Sequence, residues 1–185
     1  MNNEVDQLLQ QLEKTRQTFW NITPEVGEFL ANLIIEHKFQ TVLEIGTSNG
    51  YSGLHLARAL TKTGGHLYTI ESNLKKRFPL AQETFAKSGL TNITLILGHA
   101  PEAIPEAPEK FDLAFFDATK KEHIKYFQTL ENRINKGGYI ITDNIHSHPE
   151  SLAPFIETIK TTVGWQTQEI PLGTGLLLAK FLPHS

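Results

Sequence analysis

The chain has 185 residues, of which 39% are hydrophobic and 20% charged, and its net charge is −3. That composition excludes a disordered polar chain, and the charge provides no global basic field for nucleic acid. Cysteine is absent, which excludes a disulfide framework, a thiolate metal site and a cysteine nucleophile.

One hydrophobic core can serve a chain of this length, so residues 1–185 are read as one domain, with 1–22 as a helical extension. The opening MNNEVDQLLQQLEKTRQ is polar and lacks the apolar stretch of a signal peptide. No apolar run approaches the ~20 residues of a membrane span. A cytoplasmic protein without membrane contact is expected.

Val5 to Thr18 places Val5, Leu8, Leu9 and Leu12 on one stripe and predicts an amphipathic helix. A second helix opens at TPEV, with Thr23 as N-cap and Pro24 at the first helical position. TVLEI (41–45) reads as a short buried strand and Tyr51 to Leu60 as a helix. HLYTI (66–70) is a strand after the Gly64-Gly65 break, and Leu74 to Lys87 is a helix stopped by Gly89. ITLIL (93–97) is a strand, followed by a proline-punctuated connector and the strand FDLAFFD (111–117). Lys120 to Ile134 is expected to be a helix stopped by Gly137-Gly138, and YIITD (139–143) a strand. Pro149 to Thr162 is helical despite Pro154, and the C-terminal WQTQEIPLGTGLLLAKF gives two strands around a Pro/Gly turn, with Trp165 packing at the start of the first.

Strands alternating with helices imply βαβ units. The fold class is therefore α/β: a Rossmann-like doubly wound sheet, mostly parallel, antiparallel at its C-terminal end, with helices on both faces. Continuous apolar runs such as LAFF and YII suit strands buried on both sides.

Ligands of such sheets bind outside the carboxyl ends of the strands. The first strand ends in EIGTSNGYS, with Gly46 and Gly50 before a helix N-terminus. The spacing is neither the G-x-G-x-x-G dinucleotide pattern nor a phosphate loop, which disfavours a nicotinamide dehydrogenase. Glu44 in that strand would repel a pyrophosphate and suit a ligand bearing an amine or a cation. Glu71 ends the second strand about twenty residues past the glycine turn, where an acid holds ribose hydroxyls. Two later strands end on acids, Asp117 and Asp143, with Asn144 after the second and Lys120 one turn past the first. Two carboxylates and an amide oxygen form a hard-oxygen set for a divalent cation. Either aspartate could instead cap the helix that follows it.

VLEIGTSNGYSGLHLA resembles the first motif of class I S-adenosylmethionine-dependent methyltransferases, and most closely that of the metal-dependent O-methyltransferases of the catechol and caffeoyl-CoA type. The resemblance runs from about Pro24 to Phe181 and includes YTIES, LILGHAPEAIP, FDLAFFDATK, GGYIITDN and GTGLLLAK, in order. It implies that Glu44, Gly46, Thr47, Gly50, Tyr51 and Ser52 surround the methionine part of the cofactor, with Asp117 alongside. By the same resemblance Glu71 takes the ribose, and His99 and Ala100 lie beside the adenine. Asp117, Asp143 and Asn144 become ligands of Mg²⁺, or of Ca²⁺ or Mn²⁺, and Lys120 becomes the base that takes the acceptor proton. The family often has Gly-Asp-Ala where this chain has Gly98-His99-Ala100.

The segment after Asn144, IHSHPESLAPF, is short for the family and implies an open acceptor site. A small phenolic substrate is expected, with hydroxyuridine in tRNA or a non-catalytic cofactor-binding module as alternatives; relatives are commonly homodimers. His146 and His148 read as loop residues at the substrate entrance, and Phe19 and Trp20 as packing or lid residues.

Overall fold

The structure, a computed structural model, describes residues 2–106 and 108–182. Its centre is a seven-stranded sheet. In chain order the strands are β1 (Thr41–Ile45), β2 (His66–Glu71), β3 (Ile93–Leu97), β4 (Phe111–Phe116), β5 (Ile134–Thr142), β6 (Trp165–Ile170) and β7 (Leu176–Phe181). Their order across the sheet is β3-β2-β1-β4-β5-β7-β6. β1 to β5 pair in parallel and β7 runs antiparallel to both β5 and β6. The order reverses between β1 and β4, which opens a crevice at their carboxyl ends.

Among the described residues seven helices surround the sheet: α1 (Asn2–Glu13), α2 (Arg16–Phe19), α3 (Pro24–His37), α4 (Tyr51–Thr63), α5 (Arg77–Ser88), α6 (His123–Leu130) and α7 (Pro149–Thr161). Strand alternation assigns the two faces. Val42, Leu113, Phe115 and Ile141 pack in one cluster with Leu9 of α1, Leu30 of α3, Leu54 of α4 and Phe85 of α5. Leu43, Ala114, Phe116 and Ile140 pack in the other with Phe127 of α6 and Phe155 of α7. Trp165 is buried at the start of β6, its ring 5.5 Å from that of Phe127.

Thr23 caps α3 as expected, accepting from Val26 N at 3.4 Å, and Gly64 and Gly89 close α4 and α5 in the left-handed conformation. Three expected boundaries move. The first helix stops at Glu13, because Thr15 sends both its N–H and its hydroxyl to the Leu12 carbonyl, at 3.0 and 2.8 Å. The short α2 then carries Phe19 and Trp20 toward the strand ends. The helix expected from Leu74 starts at Arg77, since Asn73 Oδ1 accepts from Lys76 N at 2.9 Å and holds a turn there.

The helix expected over Lys120–Ile134 is a 3₁₀ turn, Lys120–Glu122, followed by α6, and Ile134 already pairs with Phe111 in β5. Gly137 and Gly138 lie inside that strand, at a register shift between Phe111 and Leu113. A Cβ on Gly138 would stand 2.6 Å from the Asp112 carbonyl oxygen. The Asp112 carboxylate binds the neighbouring strand starts, accepting from Gln40 N at 2.8 Å, Thr41 N at 2.9 Å and Asn135 Nδ2 at 2.7 Å.

Candidate active site

The strand ends frame a cavity of about 930 Å³. β1 delivers Gly46 and Thr47 to it, and β2 delivers Ile70 and Glu71. The loop after β3 supplies Gly98, His99 and Ala100, β4 supplies Asp117 and Lys120, and β5 supplies Asp143 and Asn144. Backbone bonds fix these ends relative to one another. Gly46 N and Thr47 N donate to the Ile70 carbonyl at 3.0 and 3.2 Å, and Asp117 N donates to the Ile45 carbonyl at 3.0 Å.

Gly46 has φ of +107°, and a Cβ there would fall on the Asp117 carbonyl oxygen. The crossing of β1 past β4 therefore depends on glycine. Gly46→Ala is expected to cost at least about 2 kcal/mol, a fall of about 4–8 °C in Tm by differential scanning calorimetry.

Glu44 does not line the cavity. It is fully buried on the α4 side of β1. Its Oε2 accepts from Thr69 Oγ1 at 2.5 Å, and Thr69 Oγ1 lies 2.6 Å from Thr47 Oγ1, so the carboxyl reaches the cavity wall through two hydroxyls. Oε1 has no partner. Burial pushes the Glu44 pKa up to about 7, against the opposing effect of the Ser52 and Thr69 hydroxyls, and the charges of Asp117 and Glu71 add to the rise. Ser52 lines the cavity, whereas Gly50 and Tyr51 do not. Tyr51 is buried against α1, where its hydroxyl donates to Glu13 Oε1 at 3.2 Å.

Glu71 is 4% exposed and held by two backbone donors, Ser48 N on Oε2 and Asn73 N on Oε1, both at 2.8 Å. Free lone pairs remain on both oxygens for a further pair of hydroxyls.

Asp117 and Asp143 cap no helix. The N-cap positions are Thr119 for the 3₁₀ turn and His148 for α7, neither with a side-chain cap bond. Lys120 Nζ donates to Asp117 Oδ1 at 2.7 Å, with both side chains about 15% exposed (14% and 16%). Burial raises the Asp117 pKa to about 6; Lys120 counters this and the charge of Asp143 adds to it. Burial also raises the Asp143 pKa, although its Oδ1 accepts from Asn144 N at 2.6 Å and Thr174 Oγ1 at 2.8 Å. Asn144 stands in the left-handed region, φ 71°, with Nδ2 bonded to Thr174 Oγ1 at 2.8 Å. The amide hydrogens are thus directed at Thr174, which leaves Oδ1 as the free donor atom of that side chain.

Thr174 was not singled out from sequence, although the flanking glycines of GTG signal a tight turn; Gly173 and Gly175 both have positive φ. His148 lines the cavity, while His146 faces Glu169 at 3.9 Å with its ring against Gly175. Phe19 and Trp20 form the rim. Lys76 Nζ lies 5.3 Å from the Phe19 ring centre, and the Arg77 guanidinium lies 5.2 Å from that of Trp20, so two cation–π contacts tie α2 to the start of α5.

Residues 2–168 match the family model described as O-methyltransferase. A catechol O-methyltransferase of Niastella koreensis is 34% identical over 130 residues, covering 68% of this chain and 58% of that protein. A catechol O-methyltransferase of Mycobacterium tuberculosis is 30% identical over 126 residues, covering 67% of this chain and 56% of that protein. The chain thus spans little more than half the length of these curated relatives. An O-methyltransferase of Bacillus cereus, solved in complex with SAH, superposes with a TM-score of 0.85 over 97% of this chain and 90% of that one, at 24% identity. In fold and in the motifs at its strand ends, the chain belongs to the O-methyltransferase family.

Proposed function

We propose that the protein moves the methyl group of S-adenosylmethionine to a hydroxyl of a catechol-like phenol. The observation that carries this is the convergence of Asp117, Asp143, Asn144 and Lys120 on the cavity that Glu71 also lines. The cofactor-binding residues in this reading are Gly46, Thr47 and Ser52 at the methionine end, Glu71 at the ribose, and His99 and Ala100 at the base.

The donor set fits a divalent cation. Asp117 and Asp143 are two largely buried carboxylates that each resist ionisation, and Lys120 is bonded to Asp117. A cation of charge +2 offsets both, and the Asn144 amide oxygen completes a hard-oxygen face. When bound, such an ion polarises the acceptor oxygens as a Lewis acid. Lys120 stands on the wall beside them, and once its ammonium has given up a proton to solvent its neutral amine takes the proton of the attacking hydroxyl. Bound S-adenosylmethionine would supply a methyl group activated by its sulfonium sulfur, and transfer to the hydroxyl oxygen would need no bond to the protein. What the protein contributes is position and electrostatics.

Among the described residues no helix is long and apolar enough to cross a membrane; the proposal takes the site of action to be the cytoplasm. The direct test is methyl transfer from labelled S-adenosylmethionine to caffeate, with and without EDTA. Transfer is expected to cease in EDTA and return with Mg²⁺, and undiminished turnover in EDTA removes the metal from the proposal. Lys120→Ala is expected to lower kcat by about 10²-fold or more, the usual worth of a positioned base. A parallel arm with hydroxyuridine-containing tRNA decides the acceptor class, since transfer there and none to caffeate replaces the phenol.

A further inference from the structure

The β6–β7 hairpin brings one side chain to the cavity, Thr174, and its hydroxyl holds two of the strand-end residues at once. Oγ1 donates to Asp143 Oδ1 and accepts from Asn144 Nδ2, both at 2.8 Å. Asp143 and Asn144 are neighbours in the chain, and along a regular strand their side chains would face opposite ways. A local irregularity brings them to the same hydroxyl. Thr142 pairs with Leu177, but beyond it Ile145 N donates to the Gly175 carbonyl at 3.1 Å and His146 N to the Thr174 carbonyl at 3.0 Å. Over this stretch the β5 side carries one residue more than its partner, as at a β-bulge. Asn144 stands in the left-handed region there, φ 71°, a conformation that asparagine tolerates. The opposing turn is equally constrained. A Cβ on Gly175 would stand 2.5 Å from the His146 ring, and one on Gly173 would stand 3.0 Å from Val26 Cγ2.

A threonine hydroxyl has one hydrogen to give and lone pairs with which to accept. Asp143 Oδ1 already accepts from Asn144 N at 2.6 Å, so it is an acceptor atom and the Thr174 hydrogen is committed to it. What Thr174 turns to Asn144 is then a lone pair, which takes the amide hydrogens and repels the amide oxygen. Turning the amide over would set two lone pairs against each other and leave the hydroxyl oxygen without its donor. Two oxygens are thereby left without protein partners among the described residues, Asp143 Oδ2 and Asn144 Oδ1. Both are of the kind that a hard divalent cation takes.

We infer that Thr174 is a positioning residue for the cation site: by committing its one hydrogen to Asp143, it makes Asn144 present oxygen rather than nitrogen to the ion. The inference rests on the divalent cation proposed above and adds a residue from the antiparallel end of the sheet to the two parallel strand ends that carry the donors. An amide turned the other way offers an NH₂ group, whose hydrogens repel a cation. Without the hydroxyl, no contact in the described structure chooses between the two amide orientations. Partners that orient a metal ligand in this way are worth about 10- to 100-fold in metal affinity.

The test reads metal binding and needs no turnover. Mn²⁺ is titrated into the full chain without cofactor or acceptor, and the free ion is followed by electron paramagnetic resonance. Thr174→Val keeps the shape and removes the hydroxyl, and it is expected to weaken Mn²⁺ binding about tenfold or more. Thr174→Ser keeps the hydroxyl and is expected to stay within about threefold of the wild-type protein. Thr174 is exposed at the tip of its turn, so both variants are expected to unfold in EDTA at the wild-type temperature. A second background separates orientation from damage to the turn. In Asn144→Asp both side-chain oxygens are equivalent, and there is no wrong end to present. The cost of Thr174→Val is expected to shrink there to about threefold or less, since the two residues then no longer act as a unit. Wild-type affinity in Thr174→Val, an equal loss in Thr174→Ser, or the same cost in both backgrounds overturns the inference while leaving the cation site standing. If the wild-type protein binds no Mn²⁺, the cation reading itself fails, and the inference with it.

Discussion

Asp117→Asn is expected to abolish methyl transfer, by about 10³-fold or more, while leaving the fold as stable as before or more so. The two halves have one cause. Asp117 is largely buried, and its pKa is raised from 3.8 to about 6, first by burial and then by the charge of Asp143, with Lys120 pulling the other way. A folded-state pKa above the unfolded one means that the protonated form is favoured by folding. That contribution is present below pH 4 and is lost as pH rises through about 6. At pH 8 the ionised side chain therefore weighs against the native state, by up to ~3 kcal/mol at ~1.4 kcal/mol per pH unit. Asparagine keeps the shape and can still accept from Lys120 at Oδ1, but carries no charge to repel Asp143. The loss of the Lys120 ion pair offsets part of the gain, so a rise of ~1–2 kcal/mol is expected in EDTA.

The activity loss has the opposite sign because the strain between Asp117 and Asp143 is what a divalent cation would relieve. Added Mg²⁺ is accordingly expected to raise the Tm of the wild-type protein and to leave that of Asp117→Asn unmoved. A variant that unfolds several degrees lower in EDTA, or that still gains Tm from Mg²⁺, contradicts this account of the site.

The sequence carried the strand ends better than the elements behind them. Asp117, Asp143, Asn144 and Lys120 were legible because an acid ending an apolar run is a local pattern, and the parallel sheet brings such ends together. The limits of α6 and β5 were not legible. Gly137-Gly138 looks like a helix stop in one dimension, but it serves a bulge against Asp112, a residue 25 positions away whose side chain holds Gln40 and Thr41. Glu44 and Tyr51 show the same limit inside the glycine motif. Both belong to it, yet strand alternation directs Glu44 under the sheet toward Thr69, and the helix turns Tyr51 toward Glu13. Thr174 stayed hidden because its importance lies in contacts with Asp143 and Asn144, 31 and 30 residues away. A motif names the loop, and only the register of the sheet says which of its side chains reach the cavity.

Two buried histidines outside the proposed chemistry set the second large effect, an acid limit to stability. His55 packs its ring on Gly27, where a Cβ would stand 2.7 Å away, and next to the Tyr51 ring. His123 is fully buried among Phe116, Tyr126 and Phe155. Neither His55 ring nitrogen has a hydrogen-bond partner, and His123 has at best a weak one in the Ala118 backbone. Burial lowers the His55 pKa to about 4, with Arg58 adding to the shift, and lowers that of His123 to about 3, with Lys120 adding. For a base with a depressed folded pKa the unfolded chain binds the extra proton. Stability is therefore full above about pH 6.5 and is lost as pH falls toward each folded value. The window runs from pH 6.5 to 4 for His55 and to 3 for His123, worth ~3 and ~5 kcal/mol at ~1.4 kcal/mol per unit. Together that rivals the whole stability of an ordinary domain.

The raised carboxylates Glu44, Asp117 and Asp143 work in the opposite direction over the same range and mask part of the effect in the wild-type protein. A difference measurement separates them. His123→Phe places a ring of similar size in an aromatic cluster and removes two poorly satisfied buried nitrogens, so at pH 7.5 it is expected to be neutral or stabilising. Its advantage over the wild-type protein, from urea unfolding at a series of pH values, should widen steadily below pH 6.5 and reach several kcal/mol by pH 4. A constant difference across that range would mean that His123 takes up its proton in the native state as readily as in the unfolded chain.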